Sequence, residues 1–146
     1  MKRSHALTAL SHDHHHALRV AQLLRRADDA SASAARADFL AFWTTEGQRH
    51  FRIEEDILLP GFARFGDAGD ERVVKVLVDH VDLRRRAADL QADAHPATGE
   101  LRALGERLHD HVRYEERSLF PLIEQAMPPS ELSALAVELG REEAGR

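Results

Sequence analysis

The eleven residues HFRIEEDILLP at positions 50–60 occur again, in closely similar form, as HVRYEERSLFP at positions 111–121. Six of the eleven positions are identical: a histidine, an arginine, two consecutive glutamates, a leucine and a proline. A single histidine four residues before a glutamate is weak evidence, because such pairs arise by chance. Two pairs in the same context indicate an internal duplication, in which each half of the chain contributes one His-x-x-x-Glu pair.

The composition around these segments predicts helices. Alanine, leucine, arginine and glutamate dominate, while the 8 glycines and 5 prolines mark boundaries. The pattern predicts long helices over about residues 4–28, 35–59, 71–93 and 100–127, and a short fifth helix over about 130–143. Asp70 and Ser130 are expected to cap the third and fifth helices, and Pro60 to disturb the end of the second. Because the connections are short, we expect an all-α, up-down-up-down four-helix bundle with a short C-terminal fifth helix, in a single domain over residues 1–146.

Charge and cysteine content exclude several classes of function. The net charge of −5 argues against a nucleic-acid partner, because no basic surplus is present to neutralise phosphates. The absence of cysteine excludes disulfides, iron–sulfur clusters and thiolate zinc sites. The sequence shows no signal-peptide pattern and no apolar run long enough for a membrane span, so we expect a cytoplasmic protein without a membrane partner. The ten histidines are the unusual feature that remains.

The apolar stripes of the predicted helices direct one histidine of each helix toward the bundle interior. Residues four apart share a helix face, so each His-x-x-x-Glu pair points one way, and the stripes continue through Ile57 in the second helix and Leu122 in the fourth. Burying such groups without partners would be costly, so a shared partner is required. Imidazoles and carboxylates that converge inside a bundle predict a metal site with nitrogen and oxygen ligands. The candidate ligands are His14, His50, Glu54, His80, His111 and Glu115.

Several neighbouring residues have competing interpretations. His15 is the main alternative to His14, but its neighbours one turn away are polar. Glu55 and Glu116 lie one step from the inward stripe and are expected to be solvated or to support the ligands. Gly47, one turn before His50, indicates either a ligand pocket or close helix packing, and Tyr114 either packs or reaches the metals. A surface position is expected for the remaining histidines, His5, His12, His16, His95 and His109.

The order His, His-x-x-x-Glu, His, His-x-x-x-Glu resembles the hemerythrin-like (HHE cation-binding) family, and the resemblance covers about residues 7–124. The EExxLxP segments at Glu54–Pro60 and Glu115–Pro121 are typical of that family. The resemblance implies a non-haem di-iron centre (Fe2+/Fe3+) in a four-helix bundle, with the two glutamates and an oxygen species as bridges. Zinc or manganese could substitute for iron on ligand grounds.

The resemblance also limits the function. Family members carry dioxygen, sense oxygen, nitric oxide or iron, or help to repair iron–sulfur clusters. The oxygen carriers have a fifth histidine one turn before the position of His80, where this chain has Val76. The ligand set looks closer to the repair proteins, but their cysteine-containing N-terminal segment does not occur in this sequence. We therefore expect a centre that binds O2, NO or peroxide in redox or gas sensing or in a stress response.

Two other readings of the sequence stay open. One is a non-catalytic module that senses or buffers iron, and the other is a zinc-loaded or metal-free structural bundle. The sequence does not decide between binding and catalytic turnover, and it indicates no particular protein partner.

Overall fold

The computed structural model describes residues 3–144, and these residues form helices and connections without a strand. Helix α1 is Thr8–Arg25, after a 3₁₀ turn at His5–Leu7 that the Ser4 side chain caps. Helix α2 is continuous through the segments Ala32–Phe42, Trp43–Gly47, Gln48–Ile53, Glu54–Leu58 and Leu59–Ala63. Helix α3 is Glu71–Ala92, helix α4 runs through Thr98–Tyr114, Glu115–Leu119 and Phe120–Ala126, and helix α5 is Pro129–Ala144. No helix in this part of the chain is both long and apolar enough to cross a membrane.

Neighbouring helices run antiparallel, as their polar contacts show. Between α1 and α4, Arg3 contacts Glu124 at one end and Arg25 contacts Glu106 at the other. Between α2 and α3, Arg36 donates to the Leu90 carbonyl and Arg84 donates to Glu55. The remaining pairs of neighbours are joined by His16 with Glu46, His50 with Asp13, Arg107 with Asp82 and His111 with Asp79. This ring of four helices confirms the predicted all-α, up-down-up-down bundle.

The helix starts agree with one predicted cap and contradict the other. The Asp70 carboxylate accepts a hydrogen bond from the Arg72 backbone N–H at 2.9 Å and caps α3. Ser130 does not cap α5, because that helix already begins at Pro129. Proline is favoured at the first helical position, where its missing N–H is not needed. Helix α5 packs on the bundle through the buried side chains of Leu135 and Leu139.

Each copy of the repeated segment contains one wide, π-type turn, at Glu54–Leu58 and at Glu115–Leu119. Each turn ends two residues before a proline, which lacks an N–H and whose ring clashes with a regular α-helix. Because the turn widens there, α2 continues through Pro60 to Ala63 instead of ending near residue 59. The wider turn also moves the buried position by one residue. Leu58 and Ile123 are fully buried, whereas Ile57 and Leu122, which were predicted to point inward, are only partly buried against the core.

The apolar core consists of two clusters with a polar layer between them. The first cluster joins the second half of α1 to the first part of α2, the second half of α3 and the first part of α4. The second cluster joins the 3₁₀ turn and the start of α1 to the start of α3, the later parts of α2 and α4, and α5. The layer between the clusters holds the polar side chains of the candidate site.

Candidate metal centre

The structure brings all six candidate ligands together in the middle of the bundle. Among residues 3–144, the buried polar and charged side chains are these six, and none is more than 7% exposed. Helices α1 and α3 contribute one histidine each, and α2 and α4 contribute one histidine and one glutamate each. The site therefore depends on all four helices of the bundle and on both halves of the duplicated chain.

The six side chains form two overlapping groups of four. In each group the potential ligand atoms lie within 4.8 Å of one another. The first group is His14, His50, Glu54 and Glu115, and the second is Glu54, His80, His111 and Glu115. The two glutamates belong to both groups, whereas each histidine belongs to one. This arrangement has the composition of two adjacent cation sites that share two carboxylates.

Each shared carboxylate directs its two oxygens to different groups. The Glu54 oxygens lie 3.2 Å from Nε2 of His50 and 3.1 Å from Nε2 of His80. The Glu115 oxygens lie 2.9 Å from Nε2 of His14 and 3.2 Å from Nε2 of His111. One oxygen of each glutamate thus faces a histidine of the first group, and the other faces a histidine of the second. A carboxylate so placed is oriented to contact both positions at once.

Most of the inward atoms have no hydrogen-bond partner. The unpaired, buried atoms of the site are Nε2 of His50, His80 and His111, both oxygens of Glu54 and Oε2 of Glu115. Leaving buried polar groups unpaired costs about 1–3 kcal/mol each. A cation that accepts the lone pairs of these atoms would satisfy them together. The nitrogen and oxygen donors suit iron, zinc or manganese, so the residues present fit a metal centre.

The outer nitrogen of every site histidine is paired with a carboxylate. The Nδ1–carboxylate pairs are His14 with Glu116 at 2.6 Å, His50 with Asp13 at 3.1 Å, His80 with Glu55 at 2.6 Å and His111 with Asp79 at 3.1 Å. When Nδ1–H donates to a carboxylate, the Nε2 lone pair is left to face the interior. Such outer carboxylates commonly orient metal-binding histidines and make them more basic.

The sequence indicated two of these outer carboxylates but not the other two. Glu55 and Glu116, placed beside the inward stripe, support His80 and His14. Asp13 and Asp79 were missed because they lie outside the repeated eleven-residue segments that contain Glu55 and Glu116, and only helix packing brings each of them to a histidine. The signal for them is the duplication itself, since an Asp-His dipeptide occurs at the matching positions of α1 and α3.

The charges of the site are mutually stabilised even without a metal. Burial opposes protonation of His80, but the nearby carboxylates of Glu115, Glu54 and Glu55 outweigh it and raise the pKa to about 10. The pKa values of His14, His50 and His111 are also raised, because adjacent carboxylates outweigh the effect of burial. Burial raises the pKa of Glu116, but hydrogen bonds from His14 and Ser11 lower it to about 2. Protons on the imidazoles thus balance the carboxylates, and a metal would replace those protons.

The other histidines lie outside the cluster. His15, the alternative to His14, is exposed, as are His5, His12 and His95. His16 is half-buried and pairs with Glu46 at 2.5 Å, and His109 is partly exposed on α4.

A small apolar cavity of about 20 Å³ adjoins the first group of candidate ligands. Gly47 lines this cavity, in agreement with the pocket interpretation, and a Cβ there would lie 2.7 Å from a ring carbon of Trp43 on the same helix, so the glycine makes room for that ring and not for a neighbouring helix. Val76 is fully buried in the second apolar cluster, where it fills space without offering a ligand. Tyr114 packs against that cluster and under the Lys75 ammonium, outside the two groups of ligand atoms.

The comparison with protein families agrees with this geometry. The family model described as the hemerythrin HHE cation-binding domain matches residues 5–132. The comparisons with curated proteins and with solved structures returned no match. The family match and the buried cluster of histidines and glutamates together indicate a metal-binding protein. The matched region covers most of the sequence and contains all six candidate ligands, and the chain therefore belongs to the hemerythrin HHE cation-binding family.

Proposed function

We propose that this chain is a non-haem di-iron protein that binds O2, NO or peroxide in redox or gas sensing or in a stress response. His14 and His50 would hold one iron, His80 and His111 the other, and Glu54 and Glu115 would bridge them. The observation that carries the proposal is the orientation of the two glutamates, each with one oxygen toward either pair of histidines. Bound iron supplies Fe2+/Fe3+ exchange and coordination positions for a small ligand.

The cavity beside the first group supports a small, uncharged ligand. Its volume of about 20 Å³ matches one water-sized molecule, which is close to the size of O2 or NO. Its apolar walls come from helices α1, α2 and α4. The wall residues are Ala17, Phe42, Trp43, Phe51, Leu108 and Val112. Walls of this kind favour an apolar diatomic molecule over an ion.

Aromatic side chains hold two of the imidazole rings in place. Phe51 stacks on His80 with ring centroids 3.8 Å apart and planes 6° apart. Phe120 stacks on His14 at 5.5 Å with planes 11° apart. Together with the outer carboxylates, these contacts restrict rotation of the rings. The chain is thus suited to hold the metals in a constant geometry while small ligands enter and leave.

One observation favours the second candidate, a non-catalytic module that senses or buffers iron. The ligands come from four helices, so metal binding would contribute to the packing of the whole bundle. A protein whose stability depends on metal in this way can report metal availability to a partner. The two candidates predict the same metal site and differ in whether a gaseous ligand binds to it.

Spectroscopy of the reduced, iron-loaded protein tests the proposal. We expect two irons per chain and a change in the absorption spectrum when anaerobic ferrous protein meets NO or O2. Ala17→Leu, which fills the cavity, should leave the iron content unchanged and slow the spectral change. Ala41→Leu, on the exposed face of α2, serves as the matched control and should behave like the original protein. Two bound irons without any spectral response would contradict ligand binding and favour iron buffering.

A further inference from the structure

Helix α3 carries a row of exposed aliphatic side chains that the bundle does not use. Seven large hydrophobic residues are exposed between residues 3 and 144, and four of them are Val74, Leu77, Val78 and Val81. These four, the α3 stripe, are 38–69% exposed. Their spacing of three and four residues places them on one face of the helix. The stripe is therefore a continuous apolar surface rather than a set of scattered residues.

The stripe lies on the face of α3 that points away from the core. The inward face is formed by Val73, Val76, His80, Leu83 and Ala87, which are buried. A bundle helix normally has one apolar face toward the core and a polar face toward solvent. Helix α3 has apolar residues on both faces over this stretch, and packing within one chain explains only one of them.

The duplicated half of the chain provides an internal comparison. When His14 of α1 is aligned with His80 of α3, the positions of the stripe correspond to Thr8, Ser11, His12 and His15. All four are polar, and α1 nevertheless occupies the equivalent place in the bundle. The architecture thus does not require apolar residues at these positions. Their presence on α3 alone indicates a contact that α1 does not make.

Residues of opposite charge flank the two ends of the stripe, and they indicate which kind of partner binds to it. Glu71 stands one turn before Val74, and Arg85 stands one turn after Val81. Both residues are exposed, and the Arg85 side chain stays 58% exposed although it pairs with Asp89 on its own helix. Val78 lies midway between them. We propose that the α3 stripe is the interface with a second copy of this chain, in which two α3 helices pack antiparallel about a twofold axis at Val78.

In this arrangement the two surfaces complement each other. Glu71 of one copy lies opposite Arg85 of the second, and the symmetry forms this pair twice. A parallel arrangement would instead place Glu71 opposite Glu71 and Arg85 opposite Arg85, so that like charges would face each other. The surface that defines the twofold axis is then purely aliphatic, with a charged pair at either end.

The size of the stripe predicts a weak dimer. Its residues span two turns of helix, about 11 Å along the axis. A stable interface of standard size buries about 800 Å² on each partner, more than four aliphatic side chains on one helix provide. We therefore expect reversible dimers with a dissociation constant in the micromolar range. The interface faces away from His80, so dimer formation does not depend on the proposed metal function.

Sedimentation analysis of the full chain tests this interface. The average mass should rise from monomer toward dimer between low-micromolar and near-millimolar concentration. Val78→Lys places two like charges at the axis and should leave monomers over the whole range, with unchanged helix content. Val137→Lys, at an exposed valine of α5, is the matched control and should dimerise like the original protein. A monomer at every concentration overturns the proposal and leaves the surface to a different protein.

Charge reversal and cross-linking test the antiparallel geometry. Glu71→Arg and Arg85→Glu should each weaken the dimer severalfold, and the double variant should restore it. Because the sequence contains no cysteine, Val78→Cys introduces a single thiol that a short bismaleimide should join across the axis. Val137→Cys should cross-link much more slowly. Equal cross-linking of the two variants, or a double variant as weak as either single one, would refute this geometry.

Discussion

The two nitrogens of each site histidine have separate roles. Nδ1 faces a carboxylate on a neighbouring helix, whereas Nε2 faces the interior of the site. The outer carboxylate therefore decides which nitrogen is free to bind a cation, and its negative charge makes the imidazole a stronger ligand. The four outer carboxylates belong to the site as much as the six inward residues do.

Replacing one outer carboxylate should weaken metal binding without removing a ligand. Asp79→Asn keeps a hydrogen-bond acceptor near Nδ1 of His111 but removes the charge, and we expect metal affinity to fall about tenfold. Competition with a chelator of known affinity measures the change. Asp82→Asn on the same helix removes an acid that pairs with Arg86 instead of a histidine, so affinity should not change. An equal loss in both variants would mean that general charge, and not the contact with His111, matters.

The inward residues of the site could be predicted from sequence because helix periodicity determines them. His14 was preferred over His15 because only His14 continues an apolar stripe, and the structure buries His14 and exposes His15. Asp13 and Asp79 could not be found in this way. Their role depends on which helices are neighbours and on the side chains that face them across the interface. Local periodicity contains no information about such contacts.

At the scale of the helices, the wide turns determine where side chains point. A regular α-helix through Glu54 or Glu115 would meet a proline a few residues later. The π-type turn accommodates the proline and advances the buried face by one residue. A constant helical period places the six candidate ligands on the inward face, since the histidines precede the wide turns and the glutamates begin them, but it misplaces residues beyond the turns. The shift explains why Ile123 is fully buried after the turn of α4, while Leu122 is only partly buried.

Helices α1 and α4 approach each other closely at Gly105. A Cβ at this position would lie 2.8 Å from the Ala21 carbonyl oxygen, the Arg25 nitrogen and Leu24 Cβ. Two of these atoms belong to the backbone, so the helices themselves would have to separate. We expect Gly105→Ala to lower the free energy of unfolding by about 2 kcal/mol, although alanine is the better helix former. Denaturant titration of the purified protein measures this change.

Gly140 provides the matched control for this prediction. It lies inside α5, and a Cβ there would meet no atom within 4 Å. Gly140→Ala should therefore stabilise the protein by about 0.5–1 kcal/mol through helix propensity alone. A loss of stability at both positions, or at neither, would be inconsistent with a close contact at Gly105.

At the scale of the molecule, the buried polar layer lowers the stability of the fold, and metal binding would offset that loss. Two apolar clusters enclose the layer from both sides, so its unpaired atoms are buried away from bulk water. Without a metal, protonated imidazoles and carboxylates compensate one another only in part. The stability of the whole bundle should consequently depend on whether the site is loaded.

Thermal unfolding with and without metal tests this dependence. At a free metal concentration about a thousandfold above the dissociation constant, each bound ion contributes about 4 kcal/mol to stability. For a chain of this size, we expect chelation to lower the Tm by roughly 10 °C for each ion that is removed. The double variant Glu54→Ala/Glu115→Ala lacks both shared carboxylates and should unfold at one Tm in either condition. Glu106→Ala, at an exposed glutamate of α4, should keep the full difference, because it leaves the six inward residues intact. An original protein with the same Tm before and after chelation would show that the four helices are held together by their apolar clusters alone.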